Sequence, residues 1–553
     1  MCGIFGITRV DKEHVSRMIE RCNHRGPDGN ALYTNDIDIT LGHNLLSITD
    51  NAKYSTQPWK TPLGNILVYN GEIFNYDELC LAYDKKFSPK TKCDTELLAW
   101  GLDYFGLDFL EKIDSQHAFA YWDVRNHTLA LSRDHVGIKP LYFSTRNKDL
   151  EFASELKALK YGDEDIDELS KACLAYTGLN VTRNSFYKGI YKILPGETQV
   201  YSGSKLISSR RDIVLGTEQE SFDKAEFINE VSMAVKANLR GIRKKGIFLS
   251  GGLDSAIIAL HASELGMKLN TYTSRIMPEP SGIKDYNSDA NHALRFAKEL
   301  KTIHMEVLHT PKCWKKNFLP ALSANEEPSY NPALPMYFQM NQTLSEQGCV
   351  ITLAGDMGDE ITMGYQRYFD FERKFKQKEL SEFELVKEWT FRYKSLPLKD
   401  LKVNYTRNEV VEYLVSDPFS NLKVESNIAC MQRMDQLGSC EDDYFRRNDR
   451  FGMHFSMEGR FPWASKRLMN YCMNINPEIK LKAGQKGIVR SAYSDLLPGY
   501  ILDKQKTGWS APVQEWFKLK KSWPLRQSLK YCADEGVSGL NLLMFRHFLS
   551  KIT

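Results

Sequence analysis

Along the first 200 or so residues, apolar positions come in short runs separated by Gly, Asn and Asp. Asn65–Tyr69, Ala118–Trp122 and Thr128–Leu131 are such runs, and their length and turn-forming flanks predict strands. Asp94 to Tyr104 carries a helical period among them. From Tyr201 to Glu220 the sequence turns polar and loses periodicity, which reads as a join. Beyond it the pattern changes to strand–loop–helix units of the α/β kind, and the last 150 residues are helical in period and rich in aromatics. A chain of 553 residues is too long for one core. The expected division is 1–205, β-rich, and 206–553, α/β. No internal repeat or low-complexity tract is visible.

Charge adds mainly exclusions. Seventy-three basic residues against 70 acidic ones give +3, too even for a nucleic-acid or membrane partner. The basic run Arg240–Lys245 is short and reads as a solvated face. No stretch of 18 apolar residues occurs, so no membrane span is expected. The 11 cysteines include no Cys-x-x-Cys pair, which disfavours zinc. An odd number of cysteines and an N-terminus without a basic-then-apolar leader fit a reducing compartment, the cytoplasm.

Three stretches carry chemistry. Lys245–Leu249 reads as a buried strand running into Ser250-Gly251-Gly252-Leu253-Asp254-Ser255, with a helix after it that stops at Gly266. Paired glycines let backbone approach a ligand, and a helix start favours an anion. Asp254 would hold Mg²⁺ against phosphate. The loop resembles that of ATP pyrophosphatases, which split ATP into AMP and pyrophosphate; no Gly-Lys-Ser/Thr P-loop is present. A second strand, Val350–Leu353, leads into Ala354-Gly355-Asp356-Met357-Gly358-Asp359-Glu360, whose three carboxylates call for a cationic partner. Finally, Cys2 would become N-terminal once Met1 is removed. An α-amine of pKa about 7.7–8.0 could then take the proton of its own thiol, a known way to attack acyl carbons.

In order along the chain, these features resemble the glutamine-hydrolysing asparagine synthetase family. The front part is similar through Met1–Gly6, His24–Asp28, Asn70–Asn75, Cys93–Glu96, Arg133–Tyr142 and Ala153–Ala158; the rear part through the two loops, Glu458–Pro462, Lys486–Arg490 and Lys504–Gly508. The resemblance implies an Ntn-hydrolase αββα sandwich followed by a doubly wound α/β ATP-pyrophosphatase domain with a helical C-terminal part. It implies Cys2 as nucleophile on the glutamine amide, with Asn70 and Gly71 stabilising the oxyanion. Asp94 would bind the α-ammonium group, with Glu72 and the backbone of Leu46, Ser47, Ile48 and Thr49 completing the pocket. ATP would sit on Leu249, Ser250, Gly251, Gly252, Leu253, Asp254 and Ser255, with Ser274, Ala354 and Gly355 around the nucleotide. Asp254 and Asp359 would hold Mg²⁺, Lys506 would neutralise the α-phosphate and pyrophosphate, and Asp356 is tied to adenylate formation. The implied substrates are glutamine, ATP and aspartate, and the implied assembly a homodimer. Taken singly, Asn70-Gly71 is also a hairpin turn and Lys506 an exposed lysine.

The chain also departs from the family. Leu45 stands where an arginine usually clamps the glutamine α-carboxylate, which predicts weak use of glutamine unless another arginine reaches the site. Asp356 replaces a glutamate found in many members, and Ala354 and Met357 replace smaller or hydroxylated residues. Trp463-Ala464-Ser465 removes a usual carboxylate, and Tyr330-Asn331-Pro332 differs in the acceptor-binding stretch. Three alternatives to asparagine synthesis stay open: the same chemistry on another carboxylic acid, an ammonia-dependent ligase with an impaired front domain, and a silent glutamine or ATP sensor.

Overall fold

The short apolar runs of the front part pair into two six-stranded antiparallel sheets. The computed structural model describes residues 2–146, 148–160, 165–214, 221–280, 285–329, 331–376, 378–391, 403–422, 426–505 and 511–516. In the first sheet Gly3–Ile7 lies centrally, between Thr40–Leu45 and Glu151–Ala153. Alternation along a strand sends successive side chains to opposite faces. Ile4 therefore joins Leu41, Ile66, Val68, Ala118, Ala120 and Leu131 between the sheets, while Phe5 and Ile7 pack against Val15, Met18 and Leu174 of the outer helices. On the second sheet Leu67 and Tyr69 point outward, under Leu97, Leu98 and Trp100 of the Asp94–Phe105 helix. The result is the four-layer αββα sandwich.

The join proposed after Tyr201 contains structure. Lys205–Arg211 is a strand paired with Glu197–Ser202 at the edge of the second sheet. Its Leu206 and Ile207 are exposed, so it lacks the buried, alternating face that makes a strand legible. The front unit's sheet thus runs on past residue 205, and the next described element is the Lys224–Asn238 helix.

The second unit is built on a five-stranded parallel sheet. Its order is Ile303–His309, Asn270–Ile276, Lys245–Phe248, Ile351–Leu353, Glu458–Arg460. The chain winds outward on one side of Lys245–Phe248 and then on the other, a doubly wound arrangement. Its reversal point falls between Lys245–Phe248 and Ile351–Leu353, where ligands bind such sheets. Helices Lys224–Asn238 and Leu253–Glu264 cover it through Phe227, Val231, Ala256 and Ile257. The rear part is helical, and its core takes in Leu169, Ala172 and Tyr176 from the front unit's Glu168–Thr177 helix, packed with Val386, Trp389 and Val410. The two units therefore interlock. Among the described residues no helix is long and apolar enough to cross a membrane.

Candidate active sites

Cys2 sits just before the central Gly3–Ile7 strand and is buried. Its backbone N donates to Asn70 Oδ1 at 2.9 Å, and its carbonyl accepts from Arg25 Nε at 3.1 Å. With Oδ1 fixed this way, the Asn70 amide also holds a buried Nδ2 that has no partner among the described residues. A buried donor without a partner needs an explanation, and a developing oxyanion supplies one. Gly71 follows in the same strand, where a Cβ would lie 2.3 Å from the Gln116 carbonyl. Burial pushes the Cys2 thiol up; the positive chain terminus and the Leu46 N–H pull it back down.

Asp94 opens its helix inside this pocket. One carboxylate oxygen accepts from Tyr69 Oη at 2.9 Å and from the Ile73 N–H at 2.9 Å. Burial raises the Asp94 carboxyl, and Arg240 is the largest charge opposing that. Ser47 N donates to Asp28 at 2.8 Å, and Ile48 O accepts from Ile242 N at 2.9 Å. Thr49 ends the segment half-buried. The structure thus brings Cys2, Leu46, Asn70, Gly71, Glu72 and Asp94 together, while Ser47 and Ile48 bond outward to Asp28 and Ile242.

Several residues missed in the sequence complete this pocket, and they come from the second unit. Arg240 donates to Glu72 at 2.6 Å and to the Lys92 carbonyl at 2.8 Å, and its guanidinium lies 4.1 Å from the Tyr76 ring centre. Its side chain is only 16% exposed, so the basic run is not solvated at Arg240, while Lys244 is exposed. Gly241 and Ile242 press that turn onto Ile48, and Arg243 bonds Asp28 and Ser47 O. Arg460 reaches Glu72 from the edge strand of the parallel sheet at 3.0 Å. Burial pushes Glu72 up to about 7, against the pull of Arg460 and Arg240. Arg25, which holds Cys2, is itself clamped by both carboxylate oxygens of Asp449 at 2.8 and 3.2 Å. No local sequence signal marks these pairings, because the partners lie hundreds of residues apart.

The second site lies at the sheet's reversal point. Ser250 N and Oγ meet Ser255 Oγ at 3.1 and 2.9 Å, and Gly252 N donates to Ser250 Oγ at 3.3 Å. Gly251 has φ 75°, and a Cβ there would come 2.2 Å from the Asp289 carbonyl, so only glycine fits. Leu249 is buried and its N–H bonds Tyr272 O at 2.9 Å. Leu253 and Asp254 form the first turn of the following helix. The second loop packs directly on the first: a Cβ on Gly355 or Gly358 would meet Asp254 at 3.0 or 2.5 Å. Ser274 is half-buried on the adjacent Asn270–Ile276 strand, and Ala354 N bonds Arg460 O at 3.1 Å.

Met357 takes φ 81°, a left-handed conformation that costs an ordinary residue roughly 1–3 kcal/mol. Only glycine would escape that cost; here the buried Met357 side chain joins the core. Asp356 accepts from Asn448 Nδ2 at 3.3 Å, and burial raises its carboxyl against the pull of Arg447. Asp254 and Asp359 converge on one cation, the Lys486 ammonium, which touches Asp254 and lies 2.8 Å from Asp359. Burial works against the Lys486 charge, but the two carboxylates hold its pKa above the usual lysine range. Lys486 belongs to a motif seen in the sequence, though with no role attached. Lys506 and Tyr330 lie outside the described residues.

The missing carboxylate at Ser465 also has a physical account. Asp114 of the front unit caps the Lys466–Asn474 helix from across the interface, accepting from Ser465 Oγ and from Lys466 N at 2.8 Å.

Comparison with known proteins agrees with this two-part organisation. Residues 1–210 match the family described as glutamine amidotransferase domain, and residues 226–538 match asparagine synthase. The chain is 26% identical over 567 residues to asparagine synthetase [glutamine-hydrolyzing] 1 of Bacillus subtilis, covering 94% of this chain and 88% of that protein. Asparagine synthetase B [glutamine-hydrolyzing] of Escherichia coli is 23% identical over 533 residues, covering 93% and 82%. Among solved structures, a glutamine phosphoribosylpyrophosphate amidotransferase from B. subtilis matches at TM-score 0.30 and 13% identity, over 56% of this chain and 82% of that one. The fold assignment rests on the strand orders above rather than on that likeness.

Proposed function

This chain belongs to the asparagine synthase family, and we propose that it is a glutamine-dependent amidotransferase converting aspartate to asparagine. ATP activates the acceptor carboxylate as an acyl-adenylate, ammonia from glutamine attacks it, and AMP and pyrophosphate leave. The observation that carries the reading is the pairing of a buried Cys2–Asn70 centre with a Ser-Gly-Gly-x-Asp-Ser loop at the reversal point of the parallel sheet.

In the front site, Cys2 Sγ attacks the side-chain carbon of glutamine. Asn70 Nδ2 and the Gly71 N–H stabilise the oxyanion, removing a barrier of about 3–4 kcal/mol per well-placed donor. Asp94 and Glu72 hold the substrate's α-ammonium group, and the backbone of residues 46–49 walls the pocket. Collapse of the tetrahedral species releases ammonia and leaves a thioester, which water hydrolyses to glutamate. With Met1 removed, the Cys2 α-amine carries the proton between thiol and leaving group.

In the rear site, the N–H groups and hydroxyls of residues 250–255 grip the triphosphate, and Leu249, Ser274, Ala354 and Gly355 surround the nucleoside. Asp254 and Asp359 would hold Mg²⁺; the fit is supported by their convergence on the Lys486 ammonium. When bound, the metal supplies charge neutralisation at the phosphates. Lys506 does the same for the α-phosphate, and Asp356 takes the proton from the attacking amine, its burial favouring that step. The assembly follows the family expectation of a homodimer.

The reading is tested with aspartate labelled with ¹⁸O in its β-carboxylate. An acyl-adenylate route moves one ¹⁸O into AMP; label appearing in inorganic phosphate, with ADP formed, rules it out. A second reading, an ammonia-dependent ligase with an impaired front site, is favoured by one feature, Leu45.

A further inference from the structure

Glutamine is a zwitterion at its α-carbon, so a buried pocket must answer both charges. Asp94 and Glu72 answer the ammonium group. The α-carboxylate needs a cation, and Leu45, buried at the end of the Thr40–Leu45 strand, offers none. A guanidinium nevertheless reaches this pocket from the second unit. The turn after the Lys224–Asn238 helix is docked on the glutamine-binding segment at Ile48, Ser47 and Asp28. From it Arg240 extends to Glu72 and stacks on Tyr76. A guanidinium carries five N–H donors, and two bonds, to Glu72 and Lys92, fix its plane here. The fork is thus pre-oriented, with donors left for a bidentate carboxylate.

Resting on the glutaminase reading above, we propose that Arg240 binds the α-carboxylate of glutamine in this chain. Its position on the synthetase unit makes glutamine capture depend on the docking of the two units. The glutamine site is complete only when the turn 240–243 is seated.

The test compares glutamine with 4-aminobutanamide, which keeps the amine and amide but lacks the α-carboxylate. The wild-type enzyme is expected to prefer glutamine strongly in kcat/KM for amide hydrolysis. Arg240→Met should reduce that preference roughly ten- to hundredfold, mostly through KM, because a charged hydrogen-bonding contact is lost. A purely structural role would slow both substrates alike and leave the ratio unmoved, which overturns the inference. If Arg240→Met does not fold, Arg240→Lys reads the same ratio: partial loss is expected, since the charge stays and the fork goes, and an unchanged ratio overturns the inference. Wild-type protein that hydrolyses neither amide refutes the glutaminase reading itself, and the inference falls with it.

Discussion

Lys486 gives the sharpest handle on the nucleotide site. Its ammonium, 9% exposed, sits between carboxylates of Asp254 and Asp359 that are 16% and 12% exposed. Lys486→Met keeps the length and apolar stem and removes only the charge. Deleting one partner of a fully buried ion pair costs about 3–5 kcal/mol because the remaining charge stays desolvated. These carboxylates retain some contact with water, so about 2–3 kcal/mol is the better figure. At about 1.4 °C per kcal/mol for a unit of this size, melting should fall by about 3–4 °C in EDTA. Two carboxylates without their ammonium form a stronger dication site, so Mg²⁺ should raise the variant's melting temperature well above its effect on wild type. The assay is thermal unfolding of both proteins with EDTA and with Mg²⁺. A variant that melts like wild type in EDTA, or gains nothing extra from Mg²⁺, would refute the idea that Asp254 and Asp359 form one cation-binding pair.

Further outcomes follow from other contacts. Cys2→Ala should abolish glutamine hydrolysis while ammonia still supports amidation, measured by glutamate and asparagine release; equal glutamine-supported turnover would show that the front site is idle. Asp114→Ala removes a cap supplied across the interface and should destabilise by about 1 kcal/mol, seen as a lower urea midpoint; an unchanged midpoint would mean the contact contributes nothing. Burial works against the Glu458 charge, but Arg460 holds its pKa below the ordinary 4.5, at about 2. A depressed carboxyl stabilises the fold above its unfolded pKa and loses that contribution as pH falls toward the folded value. Glu458→Gln should therefore lower the melting temperature most above pH 4.5, with the gap to wild type closing as pH falls toward 2; a constant gap contradicts this.

The elements that carry the chemistry were readable because their local signals are strong. The run into Ser250–Ser255 combines a buried strand, two glycines and a helix that stops at Gly266, each governed by nearby backbone sterics. The Asp94–Phe105 helix was visible from its period within one residue of its end. By contrast, Lys205–Arg211 was hidden because an exposed edge strand has no buried face to impose alternation. The long-range charge pairs were illegible for another reason. Arg240, Arg460, Asp449 and Lys486 are ordinary surface residue types, and only the tertiary fold sets them against Glu72, Arg25, Asp254 and Asp359. Of two departures that look like losses in the sequence, Ser465 bonds Asp114 of the opposite unit, and the missing charge at Leu45 is answered, in the inference above, by Arg240.

The most direct measurement follows the nitrogen and the nucleotide together. The enzyme is incubated with ATP, Mg²⁺, aspartate and glutamine labelled with ¹⁵N in its amide, and the products are resolved by mass spectrometry. The account predicts ¹⁵N-asparagine, AMP and pyrophosphate in equal amounts. Labelled ammonia without asparagine, or ADP and phosphate in place of AMP and pyrophosphate, would contradict it.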